Sequence, residues 1–145
     1  MTAAPTRGPR HLDVSARPLV VILSLAVAAL MIWSSYLHYH LWHDLGYRNI
    51  PHIGRLFLAQ AVAGVVLALL TLSIRRLWVA VIALGFFALT MASFLVAVTH
   101  GLLGFHESWQ ACDAVEAFAV ESGAILVLAL LLSIYLAATP TRRQR

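Results

Sequence analysis

Six histidines gather in two short polar stretches, His38, His40, His43 and His52 in the first and His100 and His106 in the second. Imidazole is a common metal ligand and also titrates near neutral pH. If the helix that ends its apolar run at Leu37 continues a turn or two, Trp33, Tyr36, His40 and His43 fall on one face, and His40 with His43 can share one ion. His38 points elsewhere on such a helix. A third ligand then has to come from His52, His100 or His106, or from Glu107, Asp113, Glu116 or Glu121. Imidazole with carboxylate suits a divalent transition metal such as zinc, copper, iron or nickel. Haem between two histidines is the other cofactor to consider, with His38 and His100 as the pair. The competing reading is that these side chains hydrogen-bond lipid phosphates, water and loop backbone. The segment FHESW holds half of an HExxH zinc motif, but Gln110 stands where the second histidine belongs.

Glu121 is a second candidate. A fourth helix of about twenty residues places it inside the hydrocarbon or at its edge, where a carboxylate is expected to face protein. There it can carry protons or pair with Arg48, Arg55 or a histidine; in the alternative reading it is a wet acid in the first helical turn. Gln60 and Ser34 lie at similar depth and make a small polar pocket with it a possibility. In GYRNIPHIGRLFL, the Gly46, Pro51 and Gly54 punctuation can hold Arg48 and Arg55 beside lipid phosphate or another anion, or can be plain helix entry.

Positioning these residues falls to apolar elements. The chain has 145 residues, 61% hydrophobic and 11% charged, with mean hydropathy +0.87, which excludes an ordinary soluble domain. Four stretches approach the ~20 residues that a bilayer span requires. They predict helices over 18–37, 56–74, 77–99 and 118–138. The expected fold is an all-α integral membrane protein with four transmembrane helices in an up-down antiparallel bundle, residues 18–138. Residues 1–17 are expected to be a disordered cytoplasmic tail and 139–145 a basic cytoplasmic one. A cleaved signal peptide fits less well, since the apolar run continues beyond Ala26 and Ala28. Small residues at Gly64 and Ala68 in helix two, and at Gly85, Ala88 and Ala92 in helix three, predict close helix packing.

All ten basic residues are arginine, a bias that points to a GC-rich bacterial genome. Eight of them fall in the two tails or at Arg75 and Arg76, and only Arg48 and Arg55 lie in the histidine-bearing stretches. The positive-inside rule therefore puts both termini in the cytoplasm of a bacterial plasma membrane. No basic face remains for nucleic acid. Cys112 is the sole cysteine, so intrachain disulfides and CxxC chemistry are excluded. The functional expectation is a non-catalytic membrane module, either a homo-oligomer or an accessory subunit of a larger membrane complex. Its partners are the lipid bilayer and whatever metal, haem or protein its histidine-rich extracytoplasmic face binds. The alternatives are a small proton-coupled transporter or channel using Glu121 and Gln60, and a membrane metalloenzyme.

Overall fold

The computed structural model describes residues 16–138; of the two expected tails, 1–17 and 139–145, all but residues 16 and 17, which open the first helix, lie outside the described residues. Among the described residues, the helices α1 (Ala16–His43), α2 (Ile53–Ile74), α3 (Leu77–Thr99) and α4 (Ala114–Ala138) are each long and apolar enough to cross a membrane. A single 3₁₀ turn, Tyr47–Asn49, precedes α2. The first, second and fourth helices extend beyond the apolar runs that predict them. Hydropathy stops at the first polar residue, whereas backbone hydrogen bonding does not, and α1 carries its histidines through a further turn and a half.

Arg75, in the left-handed region at φ 34°, and extended Arg76 are all that separates α2 from α3. Even so, these two helices touch far less than the other neighbouring pairs. α1 packs along both α2 and α4, and α3 packs on α4. The result is a ring of helices that is loosely closed between α2 and α3. α1 is the central element, because it buries residues on two sides at three- and four-residue spacing: Val20, Ser24, Val27, Met31, Ser34, Leu37, His38 and Leu41. A compact core of Val27, Met31, Phe87, Ala124, Leu128 and Leu131 fills the middle of the bundle. In a bilayer, where lipid tails are as apolar as leucine, close packing and dispersion hold such helices together more than the hydrophobic effect does.

The α1–α2 seam shows how that packing is reached. Gly64 and Ala68 are buried on α2, and a Cβ added at Gly64 would run into the Ser35 hydroxyl and approach the Met31 carbonyl. The expected small-residue face of α3 behaves otherwise. Gly85, Ala88 and Ala92 are exposed, and Gly85 has open space where its Cβ would be. α3 instead buries Val79, Ala80, Ala83, Phe87 and Ala97, because α4 takes the opposite face.

The two polar connections lock onto each other. Tyr47 sits between Phe57 and Phe105, at centroid distances of 4.9 and 5.6 Å, and its hydroxyl donates to Glu107 Oε2 at 3.0 Å. Burial and the Glu107 charge push the Tyr47 hydroxyl pKa upward, so it remains a donor. Replacing Tyr47 with Phe is expected to cost about 1–3 kcal/mol, because Glu107 loses a donor in a part-buried site. Unfolding of the two proteins in one detergent measures that difference. Nearby, Gly54 lies against the Arg48 backbone, which a Cβ would meet at 2.7 Å, so only glycine closes this entry to α2.

Candidate functional site

A cavity of about 320 Å³ occupies the loosely closed side of the bundle. The C-terminal parts of α1 and α3 and the N-terminal parts of α2 and α4 line it, with Leu102, Phe105, Glu107 and Cys112 of the second connection across one end. Its walls are mainly apolar and rich in phenylalanine, with Phe57 from α2, Phe86 and Phe94 from α3, and Phe118 from α4. Leu56 and Leu89 line it while remaining 49% and 69% exposed, so the opening lies between α2 and α3. Gln60 Nε2 donates to Thr90 Oγ1 across this opening at 2.7 Å.

One carboxyl group reaches this chamber from within the core. Glu121 is 2% exposed, whereas Glu116, little more than a turn earlier, faces outward and accepts from Trp33 Nε1 at 2.9 Å. The Ser34 hydroxyl donates to Glu121 Oε1 at 3.4 Å. His38 stands beside them, its ring tilted against Phe57 at 5.2 Å. Its Nδ1 lies 2.8 Å from the Ser34 carbonyl oxygen. A carbonyl can only accept, so Nδ1 carries the hydrogen, and in the neutral ring Nε2 is left as a bare acceptor. That Nε2 faces Glu121 Oε1 at 3.9 Å, too far for a direct hydrogen bond. Of Ser34, Gln60 and Glu121, which sequence reasoning grouped as a polar pocket, Gln60 and Glu121 line one chamber together with His38, and Ser34 reaches it only through its bond to Glu121.

The other histidines are engaged differently. His40 Nδ1 and His43 Nδ1 both bond Asp44, at 2.7 and 2.8 Å, and both rings stack on tyrosines one turn earlier, Tyr36 and Tyr39. The far nitrogen of His40 lies 3.7 Å from Asp113 Oδ2. His100 Nδ1 contacts the Thr99 hydroxyl at 2.8 Å, and His106 packs over Gly101. Among the described residues, no group of three or more His, Cys, Asp or Glu side chains is arranged to hold a metal ion. The expected centre built on His40 and His43, with His38, His52, His100 or His106 contributing, is therefore not assembled. Helical periodicity aims His38 into the bundle, while Asp44 takes the other two imidazoles.

Asp44 itself is exposed, and its hydrogen bonds to His43 and His40 hold its carboxyl below the usual range. A lowered folded value means that any stability it contributes is present above the ordinary carboxylate pKa and is lost as pH falls through the lowered one. Asp44→Asn, which cannot titrate, is expected to flatten that part of the acid limb of melting temperature against pH by lowering the neutral-pH value slightly toward the acid one.

Arg48 and Arg55 come together with His52 around a shallow depression at the entry to α2, separate from the chamber. No family model matches the chain, and neither a curated protein nor a solved structure matches it.

Proposed function

We propose that this chain is a four-span protein of a bacterial plasma membrane, an up-down bundle with both termini cytoplasmic, acting as a non-catalytic module that binds small lipid-soluble molecules in the Glu121 chamber. The observation that carries the reading is a buried carboxyl lining a mainly apolar cavity of about 320 Å³ that opens between two bilayer-length helices. Cavities of this size with few convergent polar groups are the usual form of small-molecule sites. The arginine distribution supports the orientation, and it sets the chamber in the outer half of the bilayer. In this setting Arg48 and Arg55 are placed to hold lipid phosphate. A second reading, proton-coupled transport, draws support from Glu121 and Gln60 lining the same chamber, with Gln60 bonded across its mouth.

The test uses 1-naphthylmethanol, a neutral aromatic alcohol, with the full chain in lipid nanodiscs. Saturable binding is expected. Ala63→Phe, which fills the chamber, should abolish it, and Val62→Phe, on the exposed neighbouring position, should not. Absence of saturable binding, or equal binding by both variants, would overturn the reading.

A further inference from the structure

We propose that the chamber selects primary or secondary ammonium groups carried on an apolar, aromatic body, held between Glu121 and His38. This rests on the reading that the chamber binds lipid-soluble molecules, and it adds the ligand's chemistry.

The first ground is the geometry of the acceptors. His38 Nε2, stripped of its hydrogen by the Nδ1 bond to the Ser34 carbonyl, faces Glu121 Oε1 across 3.9 Å. One ammonium nitrogen at a hydrogen-bond distance of about 2.8 Å from each fills that gap with two of its N–H bonds. The second ground is charge. The titratable side chains lining the chamber are His38, Glu107, Cys112 and Glu121, and no arginine is among them. Glu107 is already engaged, accepting from Tyr47 Oη and the Ser108 amide. α2 and α3 contribute uncharged polar groups at Gln60, Thr90 and Ser93. Among the described residues an ionised Glu121 therefore has no fixed cation beside it, and an uncompensated buried carboxylate is costly. An entering ammonium supplies the missing charge, which neither an alcohol nor an anion can do. The third ground is the wall. The phenylalanine rings accept an aromatic body through edge and stacked contacts and offer their electron-rich faces to a cation.

The experiment compares two probes of one shape, 1-naphthylmethylamine and 1-naphthylmethanol, binding to the full chain in phosphatidylglycerol nanodiscs. Wild type is expected to bind the amine about tenfold or more tightly than the alcohol, the size of one charge-assisted hydrogen bond. Glu121→Gln should lose that preference while still binding the alcohol, and this retained binding also reports that the variant is folded. A comparison needing no variant is the trimethylated amine, which keeps the charge but has no N–H and should bind wild type more weakly than the primary amine. Adding phosphatidylethanolamine distinguishes the source of the ammonium. Competition with the probe supports a lipid headgroup as occupant, and unchanged affinity supports a free amine. Equal binding of amine and alcohol by wild type, or a preference that survives in Glu121→Gln, overturns this inference and leaves the chamber reading standing. Failure of both probes overturns the chamber reading itself.

Discussion

Gly64→Leu is expected to force α1 and α2 apart. The glycine Cα hydrogens face Ser35 and the Met31 carbonyl, so a branched side chain has to displace the α1 backbone, which cannot turn aside as a side-chain end can. Overpacking of this kind costs about 1–3 kcal/mol and sometimes more. The loss falls on the seam that holds the central helix, so chamber and core are both disturbed. Gly64→Ala should be much milder. Its Cβ meets the Ser35 hydroxyl, which can rotate away, and Ser35 Oγ has no hydrogen-bond partner to lose. Combining Gly64→Ala with Ser35→Ala should recover most of whatever the single change costs, a coupling that a double-mutant cycle of unfolding in detergent measures directly.

The second large effect is one of sidedness. Eight of the ten arginines fall in the two tails or at Arg75 and Arg76, so under the proposed orientation alkaline phosphatase fused after Arg145 is expected to be inactive in cells. The same enzyme inserted at Gly104, in the exposed second connection, is expected to be active. The opposite pattern would invert the orientation and put the chamber in the inner leaflet.

Much of the helical framework was legible because charge-free runs of bilayer length are an unusually strong signal. The end of α1 was harder. Residues 38–43 are polar, and what keeps them helical is side-chain traffic along the helix surface, with Tyr36 stacked on His40 and Tyr39 on His43. That Glu121 falls within the apolar fourth helix could be read, but not its side of the helix, since a buried and a wet acid have the same hydropathy. His38 was separable from His40 and His43 by angle alone, yet its partner stands 83 positions away, and no local pattern connects them. The phenylalanine wall escaped notice for the same reason, because its rings come from three helices and a connection. The exposed Gly85, Ala88 and Ala92 show the converse limit: small residues permit close packing, but they do not say which face a neighbour takes.

The central claim is that the Glu121 chamber opens toward lipid between α2 and α3. Its most direct test is a nitroxide spin label at Leu56→Cys, at the exposed rim of the chamber on α2, in a Cys112→Ser background in nanodiscs. Power saturation then compares collisions with oxygen, which concentrates in the bilayer, and with a water-soluble nickel chelate. High oxygen and low nickel accessibility, with both falling when 1-naphthylmethylamine is added, is the predicted result. A label that the nickel chelate reaches freely, or that neither reagent reaches, would contradict the account.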